Sequence, residues 1–240
     1  MDPQLRFALV LGTLHTAALL AVWGVFAVLL RLGLAKRFQV AAGRASNPAL
    51  ARRSHLELAV GQLGFVALVY AVVYPLWIRS GGQMGAAWPS ALELALHLVA
   101  FILIQDTIFY WSHRTLHRPS LYRRIHARHH YFRYVRVPVA EFAHPVENAI
   151  NFVAFFAGPV LLGSPFEFVA IWVVLRMIET TEAHSGYAFT TVSSRHAFHH
   201  MYAAKGCYGS FISPWDRVCG TDRQWRAWRR AQREASGIDT

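Results

Sequence analysis

Eight histidines fall into three short groups whose spacing fits one chemistry. "HRTLH" sets His113 and His117 four residues apart, and "HARHH" sets His126, His129 and His130 at i, i+3 and i+4. "HAFHH" repeats that second spacing 70 residues later with His196, His199 and His200. On a helix, residues three and four apart leave the same face about one turn from each other. Imidazole is largely neutral at pH 7 and binds Zn, Fe, Cu or Ni well. Three helical pieces, each offering two or three rings on one face, can therefore converge on one or two metal ions. Arg123, Arg124 and Arg128 surround the second group. Protonated rings beside them would be repelled, so the setting favours neutral rings free to act as ligands, with the arginines turned to solvent. His15 and His97 stand alone inside apolar segments and His55 sits near a helix start; these read as packed or hydrogen-bonded histidines.

Carboxylates near the groups are candidates to accept the second N–H of ligating rings, as such partners commonly do. Asp106 lies seven residues before His113, two turns back on the same helical face and deep in an apolar segment where a charge needs a reason. Glu179 and Glu182 precede His184 in "ETTEAHSGY". Helix-end and ion-pair roles stay open for all three, as does direct ligation. Cys207 and Cys219 are the only cysteines, without a CxxC, so neither a disulfide framework nor a thiolate metal site is indicated.

The elements that must position these residues are membrane helices. Of the 240 residues 55% are hydrophobic and only 15% charged, against roughly 25% charged in soluble domains. Phe7–Leu30 is uncharged over 24 residues, His55–Ile78 carries only Glu57, and Ala91–Trp111 carries no charge between Glu93 at its start and Asp106. Each is long enough for the roughly 20 residues that cross the hydrocarbon. The first is too long for a signal peptide and is followed by Arg31, Lys36 and Arg37, which suits a retained helix. Between Asn148 and Met177 two shorter apolar runs, broken by Gly158, Pro159, Gly163 and Pro165, predict a helical hairpin dipping into the membrane and returning. Ser54/Glu57, Ser90/Glu93 and Ser164/Glu167 each match a capping box at a helix start, with Pro165 at a first helical position. No useful period-two alternation appears, so no sheet is expected. The fold class expected is all-α integral membrane, with three spanning helices, the hairpin and a cytoplasmic helical histidine-rich metal site. Residues 1–90 would form N-terminal membrane helices and a basic loop, 91–223 the histidine-bearing domain, and 224–240 a basic amphipathic tail lying at the interface.

Net charge is +11 and clustered. Six basic residues and no acid lie from Arg31 to Arg53, seven and no acid from Arg114 to Arg136, and six more from Arg217 to Arg233, whereas Arg79–Ser90 holds one charge. The positive-inside rule puts the basic segments in the cytoplasm, the Arg79–Ser90 connection and the N-terminus outside, and the histidines at the cytoplasmic edge. Each basic cluster abuts a membrane segment, which favours anionic headgroups or an acidic electron carrier as partner and speaks against nucleic acid.

The order "HRTLH", "HARHH", "AHPVE", "ETTEAHSGY", "HAFHH" and "SPWDRVCGTD" resembles the fatty acid hydroxylase / sterol desaturase superfamily. "WVVLRMIETTEAHSGY" is most similar to the C4-methyl sterol oxidase-like branch. The resemblance covers residues 95–223; the first ninety match only as membrane helices. It implies a membrane oxygenase with two iron ions, which zinc can replace, held by His113, His117, His126, His129, His130, His196, His199 and His200, with His184 as a ninth ligand. It leaves His144 of "AHPVE" either a ligand or a turn former. Some relatives carry a further histidine where this chain has Thr180, so His144, a carboxylate or water would complete one metal. The implied reaction uses O2 and two electrons to hydroxylate, or desaturate, a lipid such as a sterol or fatty acyl chain. No nicotinamide or flavin fingerprint is present, so the electrons would come from a small acidic protein of the cytochrome b5 or ferredoxin kind, docked on Arg123–Arg136 and Arg217–Arg233. The implied location is a bacterial inner membrane or the endoplasmic reticulum. Two rivals stand beside it: a zinc-dependent membrane hydrolase, for which eight histidines exceed the usual three ligands, and a non-enzymatic haem or metal carrier, which needs only one or two per haem. The residues do not select a particular lipid or carbon.

Overall fold

A computed structural model describes residues 1–40, 48–85, 90–133 and 139–236. Arg44 and Arg136 of the basic segments lie outside them. The chain is helical, and among the described residues the only extended pairing is an isolated bridge between Gln39 and Tyr187.

Helix α1 (Pro3–Arg31) is started by Asp2, whose side chain accepts the Leu5 amide. Helix α2 (Pro48–Leu68) runs through a π turn at Val69–Val73 into α3 (Tyr74–Arg79). Pro75 supplies no N–H to its helix, and the ladder is re-closed one residue wider by Tyr74 N–H donating to Val69 O. Helix α4 (Ala91–Leu116) starts on Ser90, whose hydroxyl accepts Glu93 N–H as the capping reading expects. The other two caps differ. Ser54 lies one and a half turns inside α2 and donates to Ala51 O, while Glu57 pairs with Arg53 and Arg128. Ser164 is bonded to His97 Nδ1 at 2.8 Å, so Pro165 takes the cap position of the following helix. Three helices, Pro3–Arg31, Ala49–Arg79 and Ala91–Leu116, are long and apolar enough to cross a membrane. Their outer faces, with Leu20, Val25, Leu63, Leu92 and Leu96, are exposed, as lipid contact requires.

Short α5 (Pro119–Arg124) follows. Helices α6 (Pro145–Leu161) and α7 (Phe166–Ala183) form the expected hairpin. Its tip docks on the connection after α3: Trp77 Nε1 donates to Ser164 O at 2.7 Å and Phe166 N–H to Gln83 O at 3.0 Å. The hairpin thus joins the level of the α3–α4 connection to the level of the histidines. α6 lies close on α4 at Gly158, where any Cβ would stand 3.0 Å from Phe101 Cα. The core between α1, α4, α6 and α7 is aromatic, with Phe7, Trp77, Phe101, Phe168 and Trp172 fully buried. Helix α8 (Thr191–Met201), short α9 (Pro214–Val218) and α10 (Arg223–Ser236) complete the chain. The tail is the expected helix; Trp225 packs under α8 on Phe198.

Candidate metal centre

Five elements bring the histidines together. α4 carries His113 in its last turn and ends on His117. Pro119 then opens α5, reversing the chain so that the next segment returns over the α4 terminus. That segment, His126–Tyr131, is a 3₁₀ helix and not the α-helix assumed from the spacing. Its rings divide between two sets: His126 and His130 join one and His129 the other. α7 ends on His184, and α8, capped by Thr190 accepting two amides, presents His196, His199 and His200. Two groups result. His113, His117, His126, His130 and His199 have their ligand atoms within 4.8 Å of one another, as do His129, His184, His196 and His200. The two "HxxHH" segments are therefore shared, each contributing to both groups.

Backbone carbonyls and one carboxylate set the orientation of the rings. Nδ1 donates to Tyr208 O from His113 (2.9 Å), to Gly206 O from His199 (2.9 Å), to Thr180 O from His184 (2.8 Å) and to Phe132 O from His200 (3.1 Å). His126 Nδ1 donates to Glu147 Oε1 at 2.8 Å. A proton fixed on Nδ1 leaves Nε2 of a neutral ring with a bare lone pair. Nε2 pairs nevertheless face each other, at 3.1 Å for His113–His126, where both protons are fixed on Nδ1, and at 3.1 Å for His117–His199, 3.0 Å for His126–His130 and 2.8 Å for His184–His196, where one is. Two bare lone pairs, as in His113–His126, repel at that distance unless a cation lies between them. Edges near 3 Å are those of imidazoles sharing one ion at roughly 2.1 Å, so the donor set fits a metal in each group. Burial holds the rings neutral, lowering His126, His184 and His199 to about 3 and keeping His130, His196 and His200 well below the usual imidazole value, with neighbouring rings adding to the effect on the latter three.

The loop between α8 and α9 supplies two of the accepting carbonyls, and buried carboxylates hold it. Asp106, expected beside the rings, instead accepts the amides of Phe211, Ile212 and Ser213, each at 2.8 Å. Asp216 takes Tyr208 N–H, Gly209 N–H and the Thr221 hydroxyl. Gly206 has φ +102°, and a Cβ there would stand 1.9 Å from Thr221 O. Glu179 and Glu182 take the ion-pair and helix-end alternatives. Glu179 pairs with Arg176 and accepts from Ser210, and Glu182 accepts from Thr190 at the α8 cap. His144 stands in neither group; its Nδ1 accepts Val146 N–H and caps α6, the turn-forming alternative. Glu147, three residues later, is the carboxylate the sequence reading missed. A carboxylate inside the quoted "AHPVE" was its only sequence signal. Beside the second group lies a recess of about 50 Å³, lined by His129, His184, His196, Glu147 and Thr180.

Residues 98–221, which contain every residue of both groups, match the fatty acid hydroxylase family. The chain is 33% identical over 165 residues to methylsterol monooxygenase 2-2 of Arabidopsis thaliana, covering 64% of this chain and 62% of that protein. It is 40% identical over 136 residues to methylsterol monooxygenase 1 of Rattus norvegicus, covering 52% and 46%. It is 30% identical over 208 residues to the very-long-chain aldehyde decarbonylase GL1-11 of Oryza sativa subsp. indica, covering 82% and 78%. The chain thus spans less than two thirds of the two methylsterol monooxygenases. No solved structure matches it. With the histidine order, the paired groups and a match over more than half its length, the chain belongs to the fatty acid hydroxylase family.

Proposed function

We propose that this protein is an integral-membrane oxidoreductase that uses two iron ions and O2 to oxidise a C–H bond of a lipid drawn from the bilayer. The balanced reaction is R–H + O2 + 2 e⁻ + 2 H⁺ → R–OH + H2O, with both electrons from a separate protein donor. The observation that carries the reading is the pair of groups, five and four neutral imidazoles, whose bare Nε2 atoms converge. When bound, the irons supply O2 reduction and an oxidant able to break an unactivated C–H bond. The chain's own residues do the rest. Gly206, Tyr208, Thr180 and Phe132 carbonyls and the Glu147 carboxylate fix the ring tautomers. His113, His129 and His184 also line the recess where a substrate carbon would be presented. Five rings would hold one ion and four the other, and rings of both groups border the recess. Loss of a second hydrogen in place of oxygen transfer would give an alkene. The relatives, two methylsterol monooxygenases and a very-long-chain aldehyde decarbonylase, support a lipid as substrate.

The test is purified protein in nanodiscs, with metal analysis and turnover on sterol and acyl lipids. Two irons per chain without a haem absorption band, and products heavier by one oxygen or lighter by two hydrogens, are expected. His129→Ala and His199→Ala should each abolish product and lower iron while the protein still inserts. Retained activity in both, or hydrolysis with one zinc, would overturn the proposal.

A further inference from the structure

A second cavity of about 350 Å³ lies between α2, α6, α7 and residues 139–141, inside the range of roughly 300–1,000 Å³ typical of ligand pockets. It shares Ala140, Asn151, Arg176 and Thr180 with the recess beside the histidines, so the two spaces adjoin. Gly61 and Gly64 of α2 and Ala149 of α6 on its rim are exposed, and α2 is a spanning helix. The opening therefore faces the bilayer side, between α2 and α6. Its wall is mostly apolar, with Phe65, Leu68, Phe152, Phe155 and Met177.

A polar cluster reaches that apolar wall through His15 and Glu141, with Gln62 and Thr16 behind them, and makes no contact to either histidine group among the described hydrogen bonds. Gln62 Oε1 accepts from His15 Nδ1 at 2.8 Å and from the Thr16 hydroxyl at 2.9 Å, and Gln62 Nε2 donates to Glu141 Oε2 at 3.0 Å. The His15 ring is held flat on Phe65, centroids 4.0 Å apart. With its proton on Nδ1, His15 has a bare Nε2, and this lies 3.4 Å from Glu141 Oε1. Two acceptors are thus left side by side where both residues line the cavity. The other charges on its wall are spoken for: Arg176 pairs with Glu179, and Glu57 with Arg53 and Arg128. Burial pushes the Glu141 carboxyl up to about 7, against the pull of Arg176, so near neutrality it passes between a carboxylate acceptor and an acid whose O–H points at His15 Nε2. A hydroxyl both donates and accepts and pairs with either form, whereas a hydrocarbon would leave these groups unpaired at a cost.

We propose that this cavity is the lipid pocket and that His15, Gln62 and Glu141 form a subsite for one uncharged hydroxyl group on the lipid. This names the substrate class of the oxygenase reading and rests on it: an alcohol on an apolar skeleton, held away from the metals so that another carbon reaches the recess.

The test is equilibrium competition against radiolabelled octadecanol on the iron-loaded full chain in phosphatidylcholine nanodiscs. Competitors are octadecanol, cholesterol, octadecane and octadecanoate; the first two separate a straight chain from a ring skeleton as source of the hydroxyl. At least one alcohol should bind roughly tenfold tighter than both octadecane and octadecanoate, since a site built for a hydroxyl rejects analogues lacking it. Gln62→Leu should remove about tenfold of that affinity, near the value of one buried hydrogen bond, and leave octadecane unchanged. Gly64→Leu, whose Cβ enters open space at the cavity, should weaken every probe alike. If Gln62→Leu fails to hold iron, Thr16→Val and Glu141→Gln replace it, with smaller losses confined to the alcohol. Equal binding of alcohol and hydrocarbon, tightest binding of octadecanoate, or equal losses for all probes in Gln62→Leu would overturn the subsite. Alcohol selectivity without any oxidised product would sink the oxygenase reading and leave the subsite standing, whereas product without alcohol selectivity would do the reverse.

Discussion

Glu147 shows how much of a metal site rests on one residue that need not touch the metal. Its Oε1 holds His126 Nδ1 at 2.8 Å in a setting where both side chains are almost fully buried. His126 Nε2 in turn sits within hydrogen-bonding distance of both His113 and His130. A carboxylate there fixes the tautomer and raises the basicity of the ligand nitrogen, effects typically worth 10–100-fold in metal affinity. Glu147→Gln keeps the acceptor but removes the charge, and is expected to weaken iron retention by roughly tenfold. Glu147→Leu should weaken it more, and chelator titration of the loaded protein would read both. Equal iron retention in wild type and Glu147→Leu would show that His126 needs no such partner. That these histidines gather was legible in the sequence from their clustering in three short groups, although the same-face reading of the second group was not met, since its rings divide between the two sets. Glu147 was not, since its position relative to His126 depends on how the chain returns after α5. Asp106, Glu179 and Glu182 illustrate the converse: proximity in sequence put them near the ligands, and closer amides and hydroxyls took their oxygens.

At the scale of elements, the metal groups depend on a loop as much as on helices. Residues 206–213 offer the carbonyls that orient His199 and His113, and three of the amides at its far end converge on Asp106. Asp106→Asn would leave one carboxamide oxygen for three amides and point an NH2 at a donor. Hydrogen bonds to a charged acceptor contribute about 1.5–3 kcal/mol each, so a loss of about 3 kcal/mol of stability is expected, together with lowered iron content. Helix content by circular dichroism should not change. Gly206→Ala is expected to be at least as damaging to iron content, because its Cβ would overlap the Thr221 carbonyl and move the carbonyl that holds His199. The three spans and the hairpin could be read from long apolar runs, since length against bilayer thickness is a constraint of composition alone. The capping pattern was right at Ser90 and not at Ser54 or Ser164, where the nearer partners were Ala51 O and His97. The loop carbonyls left no sequence trace, because every residue carries one and only the folded path decides which is used.

Across the whole molecule, sidedness links the membrane to the chemistry. α1 leads to the basic connection before α2, the α3–α4 connection lies at the opposite end with the hairpin tip, and α4 delivers His113 and His117 back to the basic side. The positive-inside rule predicts that this side faces the cytoplasm. Gln83 and Gln224 are both exposed. In intact cells a membrane-impermeant maleimide is expected to label Gln83→Cys, and to label Gln224→Cys only after permeabilisation; the reverse pattern would invert the molecule. The same arrangement places Arg118, Arg123 and Arg124, all exposed, in the short segment between His117 and His126. Tyr122, between these arginines, has its ring 5.5 Å from His117 and 5.7 Å from His130. A partner docked on the arginines would therefore be separated from the five-ring group by little more than one side chain. Exposed charges act chiefly by steering an oppositely charged partner, and salt screens them. Arg123→Glu with Arg124→Glu should thus slow turnover with an acidic protein donor by roughly tenfold at low salt and much less at high salt. Single turnover after chemical reduction should be unchanged, because no histidine or loop carbonyl is touched. Equal slowing under both modes of reduction would mean that the arginines support the fold of the metal groups, and the docking face would have to lie elsewhere, on the Arg217–Arg230 side of α9 and α10.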